Sequence, residues 1–117
     1  MLTLSSTQIE KIEASRKREI IEDITDWMIE DYELEAMPRA EVLSEVSVPA
    51  NEAFSWGLTE YRSVQMHVHL SKALGAAYTV ALPFAKAVLA DQRLAEDIRS
   101  AWLAGWIEAL QAETFNG

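Results

Sequence analysis

The feature that most constrains the fold is a stretch from Ser5 to about Glu35 that no Pro or Gly interrupts. Apolar residues recur in it at spacings of three, four and eight, which is the stripe of an amphipathic helix. They are Ile9, Ile12, Ile20, Ile24, Trp27 and Met28. Ser5 is followed three residues later by Gln8, the pattern of a capping box. The sequence therefore predicts one long N-terminal helix, with the polar residues 14–17 projecting or lightly packed.

Prolines and glycines punctuate the middle of the chain. Pro38 predicts the start of a second helix, because Pro is favoured in a first helical turn. Pro49 leaves two alternatives: a kink inside one helix, or an end at Ser47 followed by a new helix that Pro49 opens. In either case Gly57 is a good C-terminal stop.

The second half predicts three further helical segments. Thr59 is expected to cap a helix that is buried on more than one side and ends at Gly75. Residues 76–82 favour a loop or an irregular helical turn, because the chain offers no second strand to pair with them. A short helix over Pro83–Leu89 and a last helix over about 94–112 follow.

Length and composition complete the prediction of the fold. The chain has 117 residues, half hydrophobic and a quarter charged, the balance of a globular protein with room for one core. It has no Cys, which excludes disulfides and thiolate catalysis. No apolar run has the length of a signal peptide or a membrane span, so we expect a cytoplasmic protein. We predict an all-α single domain over residues 1–117: a compact bundle of about five helices, with long N-terminal and C-terminal helices.

The net charge of −9 is concentrated in one stretch of the chain. Residues 1–19 hold four basic and three acidic side chains, a net charge of +1. Residues 20–60 hold one basic and eleven acidic side chains, a net charge of −10, and residues 61–117 hold five of each. Such a surface disfavours nucleic acid and anionic membranes as partners. It is either a docking face for a basic protein partner or a solvated, solubilising face.

Four tryptophans are many for a chain of this length. Trp102 and Trp106 lie on the densest apolar stripe and are expected in the core, with Gly105 between them indicating a close helix crossing. Trp27 lies in the acidic helix, where exposure would make it an aromatic anchor with an acidic rim; burial would make it core. The predicted partner-binding residues are Asp23, Asp26, Trp27, Glu30 and Asp31.

The sequence shows no local signature of a catalytic or metal site. His67 and His69 are two residues apart, so on a helix they point about 200° away from each other and cannot share one metal ion. Carboxylate pairs such as Glu41 and Glu45 fall in polar runs, and the glycines are too scattered for a phosphate-binding loop. We therefore predict no catalytic residue, no cofactor and no metal. An enzyme with a site that leaves no local signature is the alternative.

The order of short motifs resembles a known family of small helical proteins. Over nearly the whole chain the motifs are Met1-Leu2-Thr3-Leu4-Ser5-x-x-Gln8, Arg16-Lys17-Arg18, Gly57-Leu58-Thr59, Tyr61-Arg62-Ser63-Val64, Leu74-Gly75, Leu82-Pro83, Leu89-Ala90-Asp91 and a final helix with Arg99. The family is encoded beside type VI secretion effectors, their spike proteins and their adaptor chaperones. At 76–80 this chain reads Ala-Ala-Tyr-Thr-Val, where the family carries an acidic or aromatic stretch.

The resemblance implies an accessory role in the producing cell. The protein would act as chaperone or co-chaperone of a secreted effector, or clamp the adaptor that delivers the effector to the spike. The alternative is an immunity protein that neutralises a cytoplasmic-acting toxin through an acidic face. The expected partner is therefore a secretion adaptor or an effector toxin, with self-association possible.

Overall fold

The computed structural model describes residues 5–75, 77–82 and 84–116, with side chains up to residue 112. These ranges contain six α-helices and no strand. The helices are α1 (Ser6–Asp31), α2 (Arg39–Ser55), α3 (Tyr61–Leu74), α4 (Tyr78–Ala81), α5 (Ala85–Leu89) and α6 (Glu96–Asn116). The all-α prediction is confirmed, with six helices where about five were predicted. Within the described residues, none of these helices combines the length and the apolar content that crossing a membrane requires.

The chain divides into two compact units, residues 1–46 and residues 47–117. The boundary falls inside α2, two residues before Pro49. Each unit is described separately below, and the single domain over residues 1–117 stays a prediction.

In the first unit, α1 has two halves of different character. Its predicted capping box is confirmed: the Gln8 amide N–H donates to Ser5 Oγ over 3.2 Å, and the Ser5 amide N–H donates to Gln8 Oε1 over 2.8 Å. Every residue from Ser5 to Glu19 is exposed. This agrees with the prediction for 14–17, but it also includes Ile9 and Ile12, which the predicted stripe placed on the apolar side. Burial begins at Ile20 and continues through Ile24 and Met28. Only the second half of the predicted apolar stripe is therefore core.

The second helix begins directly after Pro38, as predicted. The amide N–H groups of Glu41 and Val42 donate to the Pro38 carbonyl over 3.0 and 3.4 Å. Inside the first unit, the guanidinium of Arg39 donates to Asp26 Oδ1 over 3.2 Å. The helix then continues through Pro49 to Ser55. The alternative that it ends at Ser47 and restarts is therefore wrong.

In the second unit, α2 ends in a Schellman motif. The Leu58 amide N–H donates to the Ala53 carbonyl over 3.1 Å, and the Gly57 amide N–H donates to the Phe54 carbonyl over 2.9 Å. Gly57 has φ +83°, the left-handed region that only Gly adopts without strain. Leu58 is fully buried behind this turn. The predicted stop at Gly57 is confirmed.

The centre of the second unit is α3. Six of its residues are buried, on more than one side of the helix as predicted: Ser63, Val64, Met66, His67, Val68 and Leu70. It ends at Gly75, also as predicted, and packs against α6. The segment 76–82, for which the sequence predicted either a loop or an irregular helical turn, contains the single helical turn α4. Ala76 and Pro83 lie outside the described residues.

Candidate functional site

The last helix turns its aromatic stripe away from the core. Leu103 is fully buried and Arg99 is 4% exposed, whereas Ile98 is 47% and Trp102 46% exposed. Trp106 is half-buried. The prediction that Trp102 lies in the core is therefore wrong. The helix packs through a face that contains an arginine, and leaves its most apolar face in contact with water.

This exposed side of α6 forms an open apolar groove of about 630 Å³. We call it the α6 face; it is lined by Asp97, Ile98, Ala101, Trp102, Gly105 and Trp106. The two indole rings lie 5.9 Å apart between centroids and are tilted by 47°. A Cβ added at Gly105 would meet no atom within 4 Å, so the predicted close helix crossing at this glycine is wrong. Instead, Gly105 forms a notch between two tryptophans that another molecule can enter.

The accessible charges of α6 are acidic over the residues whose side chains are described. Asp97 lies at the edge of the α6 face and is exposed, and so is Glu108 three turns further on. The one basic residue between them, Arg99, is buried on the opposite side. The α6 face therefore combines a large apolar surface with a negative rim, which suits a partner that carries apolar and basic side chains together.

Arg99 anchors α6 from its buried side. Its Nη1 donates to the Trp56 carbonyl over 2.6 Å and to the Leu89 carbonyl over 3.1 Å. These carbonyls lie at the C-terminal ends of α2 and α5, where the helix dipole is negative and attracts a cation. Arg99 Nε is buried without a hydrogen-bond partner among the described residues. Its burial is a cost that the two carbonyl bonds have to offset.

Glu96 fixes the start of α6 to the start of α3. Its carboxylate accepts from the Thr59 amide N–H over 3.0 Å and from the Glu60 amide N–H over 2.8 Å. The hydroxyls of Thr59 and Ser63 donate to it as well. The N-cap residue is Glu60, whose own side chain makes no capping bond. The prediction that Thr59 caps α3 is therefore wrong, because the capping group comes from 37 residues further along the chain.

These bonds make the stabilisation by Glu96 dependent on pH. Partial burial raises the pKa of its carboxyl, but the hydrogen bonds from Ser63, Glu60 and Thr59 outweigh it, so the pKa lies below the ordinary value of 4.5. We expect Glu96→Gln to lower the free energy of unfolding at pH 7 by about 1 to 2 kcal/mol, since an amide cannot accept all these bonds and solvent screens part of the effect. Urea denaturation of both proteins measures the difference.

The direction of the pH effect provides the check on this prediction. A carboxyl whose pKa is lowered by folding stabilises the protein above its unfolded pKa, and the stabilisation is lost as the pH falls through the folded value. The difference between wild type and Glu96→Gln should therefore shrink below about pH 4.5. Asp97→Asn, at the next position, is the control and should cost no more than about 0.5 kcal/mol. A difference that stays constant down to pH 3 contradicts this account.

The predicted partner-binding residues of the first unit lie on the second half of α1. Asp23, Asp26, Glu30 and Asp31 are exposed and Trp27 is half-buried. The Trp27 ring meets Tyr32 edge-on, with 5.9 Å between centroids. Asp26 is ion-paired with Arg39, which neutralises part of the predicted acidic rim. Partner binding by these five residues stays a prediction.

A buried polar network occupies the second unit, and sequence reasoning missed it. His67 is fully buried; its Nδ1 lies 2.5 Å from the Tyr78 hydroxyl and its Nε2 lies 2.8 Å from Glu52 Oε1. Since a carboxylate only accepts, Nε2–H donates to Glu52, and Nδ1 accepts from the Tyr78 O–H. Trp56 packs on the imidazole with 4.9 Å between ring centroids. Both ring nitrogens are therefore occupied, and the fully buried imidazole presents no surface to a substrate.

Burial also sets the protonation of this network. It lowers the pKa of His67 below the ordinary 6.5, against the opposing effect of Glu52, and it raises the pKa of the Tyr78 hydroxyl. The unfolded chain then binds a proton at pH values where the folded chain does not, so the free energy of unfolding decreases as the pH falls below about 6.5. We expect His67→Gln to flatten this part of a pH series of urea denaturation.

The matched control for this pH series is His69→Gln, two residues further along α3. It leaves the imidazole of His67 in place, so the decrease in stability that His67 causes below pH 6.5 should persist in this variant. The same slope in His67→Gln as in wild type would show that His67 is not the group responsible. Among the described residues, no three His, Cys, Asp or Glu side chains are grouped so that they could hold a metal ion.

Comparisons with known proteins do not add to the evidence from the geometry of the site. Neither the protein-family models, nor the curated proteins, nor the solved structures contain a match to the chain.

Proposed function

We propose that this protein works without catalysis, by holding another protein on the α6 face. The observation that carries the proposal is Trp102, 46% exposed beside Trp106 and the open notch at Gly105. An exposed apolar patch with a polar rim is typical of protein interaction sites, and tryptophan is enriched among the residues that contribute most to binding. The acidic rim favours a partner segment that carries Lys or Arg beside its apolar residues.

The family resemblance supports a more specific role for this binding. We propose that the protein acts in the producing cell as chaperone or co-chaperone of a type VI secretion effector, or of the adaptor that delivers the effector. The partner on the α6 face would then be the adaptor or the effector itself. A groove lined by aliphatic and aromatic side chains suits a chaperone, because it can cover an apolar segment of the partner before export.

The alternative role is that of an immunity protein, and a different surface favours it. Asp23, Glu30 and Asp31 are exposed on α1 around the half-buried Trp27. Such a surface could occupy the basic substrate site of a cytoplasmic-acting toxin. The two roles therefore predict that different surfaces bind the partner.

Capture experiments with surface variants separate the two roles. The tagged full chain is used to capture partners from native lysate, which are identified by mass spectrometry. If the α6 face binds the partner, Ile98→Ser with Trp102→Ala should abolish recovery of an adaptor–effector complex. Charge reversal of Asp23, Asp26 and Glu30 to Lys should leave that recovery intact.

A matched control and the contrary result complete this test. Val80→Ser removes an apolar side chain that is 79% exposed at a position outside the α6 face, and should capture like wild type. The variants at Ile98, Trp102 and Val80 should keep the wild-type thermal midpoint, since these side chains are exposed or half-exposed. The charge reversal also breaks the exposed Asp26–Arg39 ion pair, so its midpoint should fall slightly. Capture of a toxin that is lost only on charge reversal, and that relieves toxicity, would replace the proposal by the immunity role. Undiminished capture by the Ile98–Trp102 variant would remove the α6 face from the function.

A further inference from the structure

The first half of α1, residues 6–19 and called the arm below, is helical without being packed. All its residues are exposed, including Ile9 at 44% and Ile12 at 55%. An isolated helix of this length is marginal in water. The arm is therefore held helical by its capping box and by its continuity with the packed second half. Its two isoleucines remain in water at a cost that a partner surface would remove.

The arm presents apolar and basic side chains on one side. Ile9 and Ile12 are three residues apart, and Arg16 follows Ile12 by four, so all three lie on one face of the helix. Residues 1–19 carry a net charge of +1, in a chain whose net charge is −9. The arm therefore has the chemistry that the α6 face requires: an amphipathic helix with a basic end.

The spacing of the apolar and charged residues along the arm is similar to the spacing along α6 when the two helices are antiparallel. With a rise of about 1.5 Å per residue, Ile9 and Arg16 lie about 10 Å apart along the arm, and Trp106 and Asp97 about 13 Å apart along α6. Ile9 can therefore lie near Trp106, and Arg16 near Asp97. Ile12 then falls near Trp102, at the middle of the groove.

We infer that the arm of one chain docks on the α6 face of a second copy of this chain, with Ile9 and Ile12 against the tryptophans and Arg16 against Asp97. The inference rests on the proposed role of the α6 face as a docking surface. It adds a self-associated state in which the arm covers the surface that holds the partner. The partner and the arm then compete for one groove.

Charge distribution favours this pairing over the contact of two α6 faces. Two α6 helices would bring together accessible Asp97 and Glu108 without a cation, whereas the arm brings Arg16. Residues 96–116 hold four acidic and one basic side chain, a net charge of −3, whereas residues 6–19 hold three acidic and four basic side chains, a net charge of +1. The arm and α6 therefore carry net charges of opposite sign, whereas two α6 helices carry net charges of the same sign and repel each other.

Sedimentation velocity of the full chain over a concentration series tests the inference. We expect reversible self-association in wild type and a dissociation constant raised about tenfold or more by Trp102→Ala, the cost of truncating a central interface tryptophan. Ile9→Ser with Ile12→Ser should weaken association to a similar extent. Val80→Ser should associate like wild type.

Mixing the two defective variants distinguishes the arm from other contacts. Trp102→Ala keeps an intact arm, and the Ile9–Ile12 variant keeps an intact α6 face, so an equimolar mixture should form a heterodimer that neither forms alone. Full self-association of the Ile9–Ile12 variant would show that α6 faces pair with each other. That result, a mixture without heterodimer, or a wild type that stays monomeric at every concentration would overturn the inference.

A charge exchange provides a second test that removes no apolar side chain. Arg16→Glu and Asp97→Lys should each weaken association, and the double variant should restore it. Capture of the partner is measured in parallel with Trp102→Ala. Monomeric wild type with capture lost in Trp102→Ala would remove self-association and keep the proposed function. Self-association with capture intact in Trp102→Ala would remove the proposed function and keep the arm contact.

Discussion

Replacing His67 by alanine is expected to lower the free energy of unfolding by about 4 kcal/mol. The imidazole is fully buried, so its loss leaves a cavity beside Trp56, whose ring packs on it with 4.9 Å between centroids. The Tyr78 hydroxyl, itself buried, loses its acceptor. Glu52 loses less, because its side chain is 44% exposed and water can replace the imidazole. Urea denaturation at pH 7 measures the change.

Two further variants make this prediction specific to the network. His69→Ala is the same substitution two residues further along α3 at a half-buried position, and should cost about 1 kcal/mol. Tyr78→Phe removes only the hydroxyl and should cost about 1 to 2 kcal/mol, because Nδ1 of His67 is left without a donor. Equal losses in His67→Ala and His69→Ala would mean that the network contributes nothing beyond an ordinary helix position.

Replacing Arg99 by leucine is expected to lower the free energy of unfolding by about 2 to 3 kcal/mol. The carbonyls of Trp56 and Leu89 lose a charged donor at the ends of two helices. Leucine retains part of the apolar packing, and it also removes Nε, which is buried without a partner among the described residues. That relief offsets part of the loss, so the expected value is lower than for the removal of two fully buried charged bonds.

The matched control for Arg99 is Arg93→Leu. The Arg93 side chain is 91% exposed and donates to the Asp91 carboxylate two residues away, so its loss should change the stability much less than the loss of Arg99. Thermal midpoints should follow the same order as the denaturation energies. A stability of Arg99→Leu equal to that of Arg93→Leu would show that water or backbone adjustment satisfies the two carbonyls without the guanidinium.

The parts of the fold that the sequence predicts correctly are those set by neighbouring residues. The capping box of Ser5 and Gln8, the helix start after Pro38 and the stops at Gly57 and Gly75 depend on side chains or φ angles within one turn. The continuous helix through Pro49 was one of two open alternatives. Local spacing does not decide between the two alternatives, and it does not predict that Val46, Ala50 and Ala53 around this proline are fully buried.

The exposed α6 face was not predicted, because the periodicity of apolar residues does not show which side of a helix is buried. Spacing groups Ile98, Trp102 and Trp106 on one side of a helix, but it does not say which side packs. In α6 the packed side carries Leu103 and an arginine, whose charge is satisfied by carbonyls from two other helices. The same applies to α1, where Ile9 and Ile12 belong to the predicted stripe and are nevertheless exposed. Whether an apolar stripe is buried or exposed thus depends on the tertiary structure and cannot be predicted from spacing alone.

The polar network was missed because its members are far apart in sequence. Glu52, His67 and Tyr78 come from α2, α3 and α4, and no spacing rule relates them. The spacing of His67 and His69 on one helix predicts only that the two cannot share one metal ion. The hydrogen bond of His67 depends on Tyr78, which lies in the segment 76–82, whose conformation the sequence did not decide.

The hydrogen bonds between Glu96 and the start of α3 affect when this helix can form during synthesis. During synthesis on the ribosome, Thr59 and Glu60 emerge well before Glu96, so the first turn of α3 leaves the tunnel with open backbone donors. Those donors bond to water until α6 has been translated and packs against α3. A nascent chain arrested before residue 96 should therefore have a frayed start of α3.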